Sequence, residues 1–162
     1  MTHKMIQIKD GDRTLQFNGT LLGKSSSWRR DSLRWIEFAL YKTESGSYVL
    51  SRVGVSVVYH GAACHLVKRY GLTEVPTDQV ENPRDLVPCD ACSPSLSVSV
   101  IFPEKDRNWA QVSDDPNAVL EALYKYDDSG ARYPTHVAQR LMSEASLLDK
   151  GIETAYKVEV IP

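Results

Sequence analysis

All three cysteines of this 162-residue chain fall in one section: Cys64, then the pair bounding Cys89-Asp90-Ala91-Cys92, with His60 and His65 beside the first. A Cys-x2-Cys turn lets two thiolates reach one ion at about 2.3 Å, and His60 and Cys64 on a helix would share one face, a turn apart. The set His60, Cys64, Cys89 and Cys92 thus offers three thiolates and one imidazole, a composition suited to a closed tetrahedral zinc shell. His65, about 100° round the same helix from Cys64 and beside Lys68 and Arg69, reads as solvent-exposed; it is the alternative fourth ligand if His60 is not. Iron–sulfur clusters usually take four thiolates, one more than this chain has. Two other readings compete: cysteines that serve as small buried hydrophobes, and a Cys89–Cys92 redox pair or disulfide with Cys64 free. A thioredoxin-like pair would open a helix after a strand, whereas an alternating run follows Cys92 here.

His60-Gly61-Ala62, followed after a loop by Pro88-Cys89-Asp90-Ala91-Cys92, resembles the signature of the zinc-dependent nucleobase and nucleoside deaminases. The resemblance implies His60, Cys89 and Cys92 as zinc ligands and a hydrolytic reaction in which a Glu two positions after the His transfers protons. Ala62 occupies that position, and Ser93-Pro94-Ser95 leads into alternating residues where the family runs into a helix. Cys64 separates the two readings, because a fourth protein ligand closes the shell against the water a catalytic zinc needs. The expectation is therefore a structural zinc joining the helix after Tyr59 to the far end of a long loop. Such an ion supplies on the order of 10 kcal/mol in small peptides, comparable to the stability of a whole domain.

A second group, Lys24, Trp28, Arg29, Arg30 and Arg34, places basic and aromatic side chains on an unpatterned polar segment. Guanidinium and indole planes stack on bases, and Arg pairs with phosphates; Trp and Arg also dominate protein-binding hot spots. Lys68-Arg69-Tyr70 would extend this patch if it faces the same side, and a plain solvated connection is the bland alternative. The expected function is a non-enzymatic binding or adaptor protein with a structural zinc site, acting through protein or nucleic-acid contacts. A deaminase-like zinc hydrolase and a nucleic-acid-binding accessory factor are the alternatives. No phosphate-binding glycine loop, nucleophile elbow or His-Glu-x-x-His occurs.

Positioning these groups falls to a chain with 19 Lys+Arg, 21 Asp+Glu and a net charge of -2, so any polyanion or membrane-surface binding must be local. No run approaches the roughly 18 apolar residues of a membrane span, and Met1 to Asp12 lacks a secretory apolar run, so a cytoplasmic, reducing location is expected. Period-two alternation predicts four meander strands: Ile6 and Ile8; Leu15 and Phe17 after an Asp10-Gly11 turn; Ile36, Phe38 and Leu40; and Val49 to Val57 after Glu44-Ser45-Gly46-Ser47. Helical spacing runs from His60 to Tyr70, Thr73 to Pro88 reads as an irregular loop, and Leu96 to Phe102 alternates as a fifth strand.

Beyond it, Asp115-Pro116 starts one helix, Asp127 to Gly130 turns the chain, and Thr135 caps a second helix that Gly151 closes. Val158 to Val160 is a candidate returning strand, with Ile152 to Lys157 also acceptable as helix. The predicted fold is α+β: an antiparallel sheet of about five strands, two C-terminal helices on one face, and a zinc-stabilised helix and loop at an edge. It is expected to form one domain, 1–103 mainly β with the zinc site and 104–162 mainly α.

Overall fold

The computed structural model describes residues 3–82 and 85–162. In chain order the elements are β1 (Lys4–Asp10), β2 (Arg13–Ser26), β3 (Arg34–Thr43), β4 (Tyr48–Ser56), β5 (Val58–His60), α1 (His65–Arg69), β6 (Val75–Pro76), β7 (Val87–Pro88), β8 (Val100–Pro103) and β9 (Arg107–Ser113). They continue with α2 (Pro116–Leu123), β10 (Tyr124–Tyr126), β11 (Arg132–Pro134), α3 (His136–Ser146) and α4 (Lys150–Lys157). The chain divides into two compact units: Met1–Ser27, Ile36–Val53 and Asn108–Pro162 in the first, Trp28–Trp35 and Gly54–Arg107 in the second.

The first unit carries a curled antiparallel sheet in the order β1-β2-β3-β4-β9, with helices mostly at the C-terminal end of the chain, an α+β fold. The β1–β2 hairpin turns at Gly11-Asp12, one residue past the expected Asp10-Gly11, and is in register from Asp10↔Arg13 to Lys4↔Gly19. A bulge between Leu21 and Gly23 shifts the β2–β3 register, so that Leu22 and Gly23 are buried in succession. Gly23 is where α3 lies closest to the sheet: an added Cβ would stand 3.3 Å from both Glu144 Cβ and the Leu141 carbonyl oxygen. Leu22, Leu40 and Leu50 of the sheet pack with Leu123, Leu141 and Ile152 of the three following helices.

Several expected elements differ. The polar run from Lys24 is not a connection at its start: β2 continues to Ser26, paired Lys24↔Ala39, Ser25↔Phe38 and Ser26↔Glu37. Its polar groups find partners in α3, with Ser25 Oγ donating to the Val137 carbonyl at 2.8 Å and Arg140 to that of Ser26 at 2.6 Å. The fifth strand of the sheet is β9 rather than Leu96 to Phe102, of which only the end is extended, as β8 of a smaller sheet. Leu96 and Val98 are exposed, and Ser95 Oγ accepts from Ser97 N at 3.1 Å, a local turn that wins over the strand ladder.

Three helices, not two, follow β9. Thr135 caps α3 as expected, accepting from Ala138 N at 3.2 Å, but α3 stops at Ser146 and Asp149 caps a separate α4 through Ile152 N at 3.0 Å. Gly151 therefore opens α4 instead of closing α3, and an added Cβ there would meet the Tyr48 hydroxyl at 2.5 Å. Asp127 to Gly130 is a turn, but it joins strands β10 and β11, with Asp127 Oδ1 accepting from Ser129 N at 2.9 Å and Ala131 N at 3.0 Å. Val158 to Val160 forms no strand.

The second unit is built on a four-stranded sheet ordered β6-β8-β5-β7, in which β5 pairs parallel with β7 and antiparallel with β8. Its core consists of Val58, Cys64 and Cys89, with Leu33, Leu66, Val67 and Cys92 packed around them. The candidate metal ligands are thus part of the core itself.

Candidate metal centre

Strand β5 is the organiser. It lies between β7 and β8, all three of its residues are buried, and His60 at its end is 0% exposed. The β5–β7 pairing runs Val58↔Val87 and Tyr59↔Pro88, and continues as a hydrogen bond from Cys89 N to the Tyr59 carbonyl at 2.9 Å. That ladder delivers Cys89 beside His60. Cys64 arrives by a tight turn, its N–H donating to the Gly61 carbonyl at 3.1 Å, and it stands at the N-cap of α1 with extended backbone (φ -71, ψ 128). The expected helix from His60 is therefore corrected: His60 is on a strand, helix begins only at His65, and the turn at Gly61 brings His60 and Cys64 together. Their facing atoms, Nδ1 and Sγ, are 3.4 Å apart.

Cys92 closes the group. Its Sγ accepts from Gly61 N at 3.4 Å, while Ser93 N returns to the Cys89 carbonyl at 2.8 Å with Ser93 at φ 42, in the left-handed region. This turn aims backbone N–H groups of Ala91 and Cys92 at the Cys89 sulfur. Burial opposes ionisation of Cys89, but these N–H donors, the Cys92 thiol and nearby His60 outweigh it and bring the thiol down to about 7. Burial pushes the Cys92 thiol up, and the adjoining Cys64 and Cys89 thiols add to that. The ligand atoms of His60, Cys64, Cys89 and Cys92 all lie within 4.8 Å of one another, a group able to hold a metal ion. All three cysteines are free, and His65 is exposed on α1.

Behind His60 stands a carboxylate that no local sequence pattern marks. Glu104 follows β8, its N–H donating to the Val58 carbonyl at 2.9 Å, and its Oε1 meets His60 Nε2 at 2.8 Å. Arg34 grips the same carboxylate in a fork, Nε to Oε2 at 2.8 Å and Nη2 to Oε1 at 2.5 Å, and Ser56 Oγ donates to Oε2 at 2.6 Å. Burial acts against the charge of Glu104, but Arg34, Ser56 and His60 outweigh it and hold its pKa down at about 2. An ionised carboxylate can only accept, so Nε2 donates to Glu104 and Nδ1 is the ring nitrogen turned to the cysteines.

The basic-aromatic group is distributed differently. Lys24 is on β2 in the first unit, and Arg34 is committed to Glu104. Trp28, Arg29 and Arg30 occupy a turn in which Ser32 N donates to the Arg29 carbonyl at 2.9 Å, and Trp28 is 55% exposed.

Fold and site together define an α+β protein with a buried His/Cys3 cluster that could hold a metal ion. No family model, curated protein or solved structure matches this chain. Among the described residues, no helix is long and apolar enough to cross a membrane.

Proposed function

We propose that the cluster is a structural zinc site and that the chain is a non-enzymatic binding protein whose second unit is held together by that ion. The observation that carries this reading is the two-sided use of His60, with Nδ1 3.4 Å from Cys64 Sγ and Nε2 on Glu104 at 2.8 Å. Metal-bound histidines commonly donate their other ring N–H to a carboxylate in this way. In a tetrahedral zinc shell the donor atoms stand about 3.5–3.8 Å apart; the His60–Cys64 pair is already near that spacing, and all four donors lie within 4.8 Å. Three thiolates and an imidazole favour zinc over magnesium or calcium, which take oxygen ligands. His60, Cys64, Cys89 and Cys92 would fill the four positions and leave none for a reacting water.

The deaminase-like reading has less support. Ala62 is exposed and carries no acid, and Glu104, the carboxylate at the site, is bound to the side of His60 that faces away from the cysteines.

Protein purified without added metal should contain close to one equivalent of zinc by elemental analysis. Cys64→Ala should lower the melting temperature much as Cys92→Ala does, because each opens the same shell. Absence of metal, or its full retention in a Cys89→Ser, Cys92→Ser double variant, rejects the site. A neutral Cys64→Ala with deamination gained in Ala62→Glu would replace the structural reading with a catalytic one.

A further inference from the structure

Tyr70 caps the C-terminal end of α1 and remains 45% exposed, with two guanidinium groups resting against its ring. Arg69 lies 5.9 Å and Arg107 5.5 Å from the ring centroid. Arg107 comes from the far end of the second unit, and Lys105, two residues earlier, donates to Thr73 Oγ1 at 3.2 Å, just past the Tyr70-Gly71 turn. Among the described residues, neither Arg69 nor Arg107 has a carboxylate within ion-pair distance. The chain as a whole carries a net charge of -2, so this is a local concentration of cations on a mildly acidic protein.

Like charges gathered without a counter-ion raise the local potential and concentrate anions. A guanidinium that rests on an aromatic ring keeps its N–H fork for two oxygens of one phosphate. The second unit also exposes Trp28 beside Arg29 and Arg30, and Leu33 of that segment packs on the same small core as Leu66 and Val67 of α1. Two basic-aromatic segments are thus braced by one core.

We infer that this surface binds the backbone of a single-stranded nucleic acid, with Arg69 and Arg107 pairing with phosphates and Tyr70 holding both guanidinium groups while the exposed part of its ring meets a base. An acidic peptide would satisfy the arginines but leaves the exposed aromatic rings without a role, whereas stacking on rings beside Arg is how single strands are held without sequence preference. The inference rests on the binding-protein reading and adds the partner.

The test uses the full metal-loaded chain and a labelled oligouridylate or oligothymidylate, followed by fluorescence anisotropy across a salt series. Binding should weaken as salt rises, and Arg69→Ala and Arg107→Ala should each flatten the log–log slope by about 0.7, one phosphate contact per arginine. Tyr70→Ala should weaken binding about fivefold or more, while Lys125→Ala, on the exposed β10–β11 hairpin, should match the wild type. Arg69→Glu, an exposed helical position, gives a charge reversal that spares the fold should Arg107→Ala fail to fold. Metal content and melting temperature are read in parallel. Metal lost from the wild type counts against the zinc site, and no binding by metal-replete, folded protein overturns the surface alone. Unchanged binding by Arg69→Glu, or polyglutamate displacing the oligonucleotide at lower concentration than unlabelled oligonucleotide does, also overturns it.

Discussion

His60 and Glu104, 44 residues apart in the chain, meet through Nε2 and Oε1 at 2.8 Å, and this contact decides which nitrogen the imidazole offers to the cysteines. Removing the carboxylate should therefore act on metal affinity more than on the fold. Glu104→Ala is expected to weaken zinc binding about 10–100-fold, measured by competition with a chromogenic chelator. Arg34→Ala should give a smaller loss of the same kind, since Ser56 still holds Glu104. Equal affinity in both variants would show that His60 is oriented by its strand alone.

A second carboxylate does comparable work in the first unit. Asp149 accepts from Lys42 Nζ and Tyr48 Oη, each at 2.6 Å, and from Ile152 N at 3.0 Å as the N-cap of α4. Asp149→Ala should cost about 2 kcal/mol or more, because it removes a cap and leaves the Tyr48 hydroxyl without its acceptor.

The same residue sets a pH dependence. Burial opposes the charge on Asp149, but Lys42, Tyr48 and the Ile152 N–H outweigh it and hold the carboxyl below its ordinary value. A lowered carboxylate stabilises the folded state above its unfolded pKa, about 3.9, and loses that contribution as pH falls through the native value. The difference in melting temperature between wild type and Asp149→Asn should be constant near neutrality and shrink below about pH 4. A difference that grows on acidification would reverse the sign and reject the assignment.

Gly151 and Tyr48 should be energetically coupled. A Cβ on Gly151 would lie 2.5 Å from the Tyr48 hydroxyl, so Gly151→Ala must displace the tyrosine or the first turn of α4, at about 1–3 kcal/mol. In a Tyr48→Phe background the obstructing oxygen is gone and the substitution should cost less. Additive losses in a double-mutant cycle would show that the close approach is relieved elsewhere.

The candidate metal cluster is legible because its chemistry is carried by rare residue types in one section of chain, Cys64, Cys89 and Cys92 with His60 beside them. His60 joins the cluster by a different geometry from the helical repeat its spacing predicts, since a strand end and a turn at Gly61 bring it beside Cys64. Glu104 and its clasp by Arg34 left no local trace: their partners are 44 and 70 positions away, and a charged residue after a strand is ordinarily solvated. The meander showed its alternation plainly, whereas β9 alternates half-buried Asn108, Ala110 and exposed Trp109, Val112, an inverted pattern with little apolar signal on its inner face. Leu96 to Val98 shows the converse, alternation without burial, because the Ser95 hydroxyl takes the Ser97 N–H that a strand ladder would use.

Chain order adds a temporal dimension to the division into two units. The second unit is complete once Arg107 has been made, and its four candidate ligands are present by Cys92, whereas the first must wait for Asn108 onwards to supply β9 and its helices. If the cluster takes up the proposed ion, its capture during synthesis can thus precede closure of the larger sheet, with Glu104 fixing the imidazole a dozen residues after the last cysteine emerges. Pairing β9 onto β4 is then a late, long-range event, the kind of contact that slows folding. On the proposed structural role for the ion, a nascent chain starved of metal would meet that slow step with its second unit still open.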